Sequence, residues 1–194
     1  MTERPIIFSG PMVKAILDGR KTQTRRTFKA RRNSIFTPGQ WADSYVLDPG
    51  NAEWRARETP WAVGDVLWVR EAFTLVGNVD PPWVLYRASG YEAECKRHGF
   101  DNPPPETSVR WKPSIHMPRW ASRITLKVTA VKVERLQDIS EDDAKAEGMV
   151  RPIFPHWPTR PLASEFRGIW HDIHGAGAWD ANPWVVAVTF VRNT

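Results

Sequence analysis

Apolar and polar positions along the 194-residue chain fall into short blocks, most of them of strand length. The first is Pro5–Phe8 (PIIF), an unbroken apolar run of the kind a buried strand shows. Ser9-Gly10-Pro11 follows as a cap-and-proline helix start, and Met12, Val13, Ile16 and Leu17 recur at helical spacing. Gly19 stands where a glycine ends such a helix. Residues 22–28 (TQTRRTF) then alternate around three threonines and predict a strand. Alternation puts Thr22, Thr24 and Arg26 on one face and Gln23 and Arg25 on the other. Further strands are predicted over 66–71 (VLWVRE), 83–88 (WVLYRA), 124–136 (ITLKVTAVKVERL) and 184–191 (WVVAVTFV). In the longest, the apolar positions are even-numbered at first and odd-numbered after Ala130, which suggests a bulge or bend. Ser140-Glu141-Asp142-Asp143 opens a helix with a capping-box pattern, Gly148 closes it, and a second helix is predicted over 162–174.

The polar stretches 29–61 and 91–110 show no periodicity and read as loop insertions. Short strands with two or three outer helices, and no clean βαβ alternation, predict an α+β fold. A small mixed β-barrel flanked by helices fits this best, as one domain over 1–194.

Composition narrows the class. Charged residues are 25% and hydrophobic ones 41%, as in a globular protein rather than a disordered one. The net charge of +5 favours a phosphate-bearing partner such as RNA or DNA. Eleven tryptophans can fill a core or stack on bases. Cys95 is the single cysteine, so an intrachain disulfide and a cysteine-rich zinc site are excluded. A reducing, cytoplasmic setting is expected, since the chain shows no signal-peptide pattern and no membrane-spanning run. His171 and His174 could share a metal at helical spacing, but no third ligand stands out, and no metal or cofactor is expected.

The densest candidate chemistry lies in residues 18–26 (DGRKTQTRR), where Lys21 stands three residues before Thr24 among Arg20, Arg25 and Arg26. Taken alone, this reads equally as a solvated basic strand, a nucleic-acid grip, or a catalytic pair.

Residues 16–26 (ILDGRKTQTRR), followed by GDVLWVRE, a central strand, and a helix ending in AEGM, resemble the ASCH domain of the PUA-like β-barrel superfamily. Together with WKPSIHMPRWASRITLKVTAVKVERLQDIS and WDANPWV, the pattern is similar to the phage and prophage branch of that family. Members include RNA-binding proteins and small amidohydrolases that deacylate N4-acetylcytidine. The resemblance implies a metal-free catalytic set of Lys21, Thr24 and Glu147, with Glu141 and Glu71 as alternatives for the carboxylate. Chemically, Lys21 in its neutral form would activate either Thr24 or a water, and Glu147 would orient it or carry protons. A cytosine leaving group calls for an aromatic plane and groups that read the base edge. Trp68, Arg70 and Glu71, with His116 and Trp120, are candidates beside Arg20 and Arg26. The substrate implied is a small nucleoside or base. The alternatives are an RNA- or modified-DNA-binding module and a ribonuclease.

Overall fold

Ser9 and Pro11 start the first helix where the sequence predicts. Helix α1 (Gly10–Leu17) follows an extended Ser9, carries Pro11 in its first turn, and buries Val13, Ala15 and Ile16. Gly19 closes it at φ 73°, which an L side chain adopts at a cost, and its N–H donates to the Ile16 carbonyl. Arg20 and Lys21 follow directly, so this turn fixes where the basic stretch begins.

The structure is a computed structural model and describes residues 2–28, 33–77, 82–150 and 161–193. The chain forms two compact units that are interleaved in sequence. The first comprises Met1–Gly19, Val66–Lys127 and Arg192–Thr194, the second Arg20–Asp65 and Val128–Val191. The class is α+β, as the sequence predicts. Among the described residues, no helix is long and apolar enough to cross a membrane.

In the first unit, β1 (Glu3–Ile7) pairs in parallel with β3 (Val66–Arg70), which is antiparallel to the start of β6 (Thr125–Arg135). A separate hairpin joins β4 (Phe73–Val76) to β5 (Trp83–Tyr86). The stretch 91–110 is not all loop: helix α4 (Tyr91–Arg97) occupies its start. Only Tyr91 and Cys95 mark its apolar face, packing with Leu85, and two positions are too few to register as periodicity. The unit also buries two carboxylates. Glu71 and Glu94 both meet Arg123, which lies 3.9 Å from the Tyr86 ring centroid. Burial pushes the Glu71 carboxyl up, against the opposing pull of Arg123.

In the second unit, β2 (Gln23–Thr27) pairs antiparallel with β7 (Trp184–Asn193), and β7 lies beside β6. Residues Trp184 to Val188 are all buried, because both faces of β7 are covered. Val185 packs with Leu136, Ala144, Leu162, Phe166 and Trp170 of the segment holding α5 (Glu141–Ala146) and α6 (Leu162–His174). Trp184, one residue earlier, joins Ile35, Phe36 and Val46, with Trp41, Trp54 and Val133 against them. The stretch 29–61, expected to be irregular, therefore supplies a core layer and carries helices α2 (Asp43–Leu47) and α3 (Ala52–Glu58). Its contacts are widely spaced aromatics, which bury large areas without a helical repeat. The arginine pair at 31–32 lies outside the described residues. Strand β6 runs unbroken from Thr125 to Arg135, and the switch in its apolar pattern marks where hydrophobic burial gives way to charge: Glu134 is buried.

Arg123→Ala would leave Glu71 and Glu94 buried without their shared cation. It should destabilise the fold by about 3–5 kcal/mol, read from the urea unfolding midpoint.

Candidate functional site

The geometry starts from strand alternation in β2. Gln23 and Arg25 stand opposite Thr189 and Ala187 of β7, on the face where Val185 meets α5 and α6. That face is apolar apart from the charges buried in it. Arg25 is its centre, 4% exposed. Its Nε and Nη2 donate to Glu134 Oε1 at 3.0 and 2.6 Å. Its Nη1 donates to Gln23 Oε1 at 2.6 Å and to Glu147 Oε1 at 3.2 Å. Nη2 also lies 3.1 Å from Asp143 Oδ2, and the guanidinium carbon is 6.0 Å from the Phe166 ring centroid. One cation thus joins β2, β6, α5 and α6.

Lys21 completes the cluster. Residues 21 and 147 form an antiparallel bridge, and the Thr22 N–H donates to the Ala146 carbonyl at 2.8 Å. This backbone pairing carries the lysine to the end of α5. Lys21 Nζ donates to Glu147 Oε2 at 2.6 Å and to the Glu147 carbonyl at 3.0 Å. The second bond satisfies one of the carbonyls that every helix C-terminus leaves without an internal partner, where a cation is also favoured. Lys21 is 2% exposed and Glu147 4%.

Helix α5 is short, and the cluster and its own caps hold it at both ends. Ser140 Oγ accepts from the Asp143 N–H at 3.1 Å, and the Asp143 carboxylate accepts from the Ser140 N–H, the reciprocal cap its sequence predicts. Gly148 ends the helix at φ 92°. Asp143 therefore faces two ways, toward its own helix start and toward Arg25.

Two titrations follow. Burial lowers the Lys21 ammonium below the ordinary lysine value; Glu147 opposes this, while Arg26 and Arg25 add to it. Burial alone would raise Asp143, but hydrogen bonds from Ser140 and Gln23 and the Arg25 charge outweigh it and hold the carboxyl below its usual range.

Of the residues the sequence nominates, the structure brings Lys21 and Glu147 together and places Arg20 nearby, with its Nη1 donating to the Gly148 carbonyl at 3.3 Å. Thr24 is buried opposite Val188 in the β2–β7 register, on the other face of the strand from Gln23 and Arg25. Arg26 is opposite Val186, and burial lowers its guanidinium pKa. Glu141, one alternative carboxylate, caps α6 instead, accepting from the Leu162 and Ala163 N–H groups at 3.0 and 3.2 Å. His174 stacks on Trp170 with centroids 4.1 Å apart, and His171 turns toward the Gly175 carbonyl. Among the described residues, no group of three His, Cys, Asp or Glu side chains could hold a metal ion.

The remaining nominees belong to the first unit. Glu71 is bound to Arg123. Trp68 has Arg70 and Arg119 at 5.5 and 5.9 Å from its ring, and Arg70 donates to the Ile115 carbonyl. His116 and Trp120 are exposed. The sequence reading missed Arg25, Glu134 and Asp143 as members of the charged cluster. The signal for Arg25 was the i, i+2, i+4 spacing of Lys21, Gln23 and Arg25, which puts three polar groups on one strand face.

No family model matches the chain, and no curated protein is similar to it in sequence. Among solved structures, it is similar over 98% of its length to the ASCH domain from Lactobacillus crispatus JV V101, at TM-score 0.40 and 14% identity, covering 79% of that chain. It is also similar over 98% of its length to a DUF984 protein from Enterococcus faecalis V583, at TM-score 0.43 and 12% identity, covering 76% of that chain.

Substitutions in the cluster should rank by how many charges they strand. Arg25→Ala removes the partner shared by Glu134, Asp143 and Glu147 and should cost about 3–5 kcal/mol. Lys21→Met should cost less, because Glu147 keeps Arg25. The sign of the pH effect follows from the lowered Lys21 pKa. Between that value and the ordinary lysine pKa, the unfolded chain binds the proton and the folded one does not, so this group makes stability rise with pH. Urea midpoints across the alkaline range should show the rise in the wild type and its absence in Lys21→Met.

Proposed function

We propose that the chain is a hydrolase that removes the acyl group from N4-acylated cytosine, as nucleoside or base, with Lys21 and Glu147 as the reacting pair. The observation that carries this reading is the 2.6 Å contact between Lys21 Nζ and Glu147 Oε2, in surroundings that lower the amine's pKa. A general base must be neutral to accept a proton, and burial shifts this lysine in that direction. The reading is supported further by the resemblance of GRKTQTRR, and of the helix ending in AEGM, to deacylating members of the ASCH family.

The chemistry balances without a covalent enzyme intermediate. Neutral Lys21 takes a proton from water as the water oxygen bonds to the acyl carbon. The tetrahedral adduct collapses, the bond from the acyl carbon to N4 breaks, and the proton passes from the Lys21 ammonium to N4. The products are the cytosine amine and a carboxylic acid. Glu147 orients the Lys21 amine and stabilises its ammonium form between the two transfers. Arg25 holds the other Glu147 oxygen at 3.2 Å and so fixes which oxygen faces the lysine. In this scheme Thr24 is a hydrogen-bond donor to the substrate rather than the nucleophile.

The test is turnover of N4-acetylcytidine in EDTA, followed by absorbance. The wild type should deacylate it, with a rate that rises as pH passes the Lys21 pKa. Lys21→Ala and Glu147→Gln should each lose about 10²–10⁴-fold. A folded Lys21→Ala protein that retains the wild-type rate would overturn the assignment.

A further inference from the structure

The first unit contains a groove of about 950 Å³ that the proposed chemistry does not use. One wall is the β4 segment, with Thr74, Leu75 and Val76. The other is the segment that brings Arg110 and Lys112 to it, followed by a helical turn that ends at His116. Three residues capable of positive charge line the groove, and among the described residues no carboxylate does.

The basic wall is held in place by its backbone. Lys112 and Phe73 exchange both of their hydrogen bonds, at 2.7 and 3.2 Å, and Thr74 Oγ1 donates to the Arg110 carbonyl at 3.1 Å. The segment is therefore tied along β4 as an added edge. Residues 110 and 112 are two apart in extended chain, so their side chains leave on the same side, about 6.6 Å apart along the strand. Trp111, between them, packs with the cluster of Leu85, Tyr91 and Cys95 and also lines the groove. This apolar anchor holds the segment that carries both cations. Arg110, Lys112 and His116 are all exposed.

We propose that this groove binds the phosphates of a nucleotide, either a free nucleoside triphosphate or successive units of a single strand. Neighbouring exposed cations suit the phosphates of such a ligand. The apolar wall of Leu75 and Val76 gives the sugar and base a surface that a bare polyanion would not need.

The experiment titrates wild-type protein with a fluorescein-labelled ten-nucleotide single strand, by anisotropy, and with CTP, by calorimetry, at about 50 mM salt. Arg110→Glu and Lys112→Glu are compared with Lys127→Glu, an exposed lysine of the same unit outside the groove. All three side chains are exposed, and circular dichroism melting checks that each variant keeps its fold. The expected result is binding that weakens with salt, at least about tenfold weaker in Arg110→Glu and Lys112→Glu and within about twofold of wild type in Lys127→Glu. A strand bound more than about tenfold tighter than CTP identifies the strand as the source of the phosphates, and equal affinities identify the free nucleotide. Failure of both probes to bind, or equal binding by the groove variants and wild type, would overturn the proposal. Deacylation of N4-acetylcytidine is read separately, so either reading can fail without the other.

Discussion

A charge taken out of water must find a partner, and Arg25 is where this requirement is most concentrated. Its side chain is buried, and each of its three nitrogens is used. Stranding a carboxylate in such surroundings costs several kcal/mol, more than any single apolar contact nearby contributes. The residues around it are placed accordingly. Glu134 ends the buried part of β6, Asp143 both caps α5 and faces Arg25, and Glu147 ends α5 with its carboxylate turned inward. Helix α5 has six residues and would not persist alone. Its position is set by the ions at its two ends and by Ala144 beneath it.

The first unit meets the same requirement with different residues. Glu71 and Glu94 share Arg123, and Arg97 reaches Glu94 from the solvent side at 2.6 Å. There the buried anions outnumber the buried cations, and Arg123 and Arg97 remain partly exposed. Around Arg25 the cation's own side chain is fully buried. The contrast bears on chemistry: burial disfavours the charged form of an amine, so the Arg25 cluster is where a lysine proton can be moved.

How much of this could be read in advance depended on whether a residue announces itself by period. The α1 helix, the β2 and β7 strands, the α5 cap and the 162–174 helix all follow from local signals: Ser9 with Pro11, threonine alternation, a continuous apolar run, Ser140 with Asp143, and the spacing of Leu162, Phe166 and Trp170. The helices in 43–58 and 91–97 were hidden because their burial rests on a few large side chains, Trp41, Trp54, Tyr91 and Cys95, rather than on a stripe. Lys21 and Glu147 could be paired only through family resemblance, since 126 residues separate them and neither is marked by its neighbours. Arg25 was harder still. On a strand, an arginine reads as solvated, and only the tertiary placement of Glu134, Asp143 and Glu147 makes burial tolerable. Local pattern places elements well and charge partners poorly, because a charge partner is chosen by the fold.

The surroundings of Lys21 explain why its proton can move. Lys21, Arg25, Arg26 and Lys132 stand against Glu134, Asp143 and Glu147. Glu147 opposes deprotonation of Lys21. Burial of the amine and the nearby Arg26 charge favour it, and the first of these is the larger effect. Lys132 cannot take that part: it is largely exposed, and its hydrogen bond to Glu134 raises its pKa. Burial has thus moved the lysine toward neutrality. Its partner Glu147 is also held by Arg25, so a second contact keeps the carboxylate in place when Lys21 gives up its proton. A buried ion pair that can lose one charge and keep its geometry is what proton transfer to a departing amine requires.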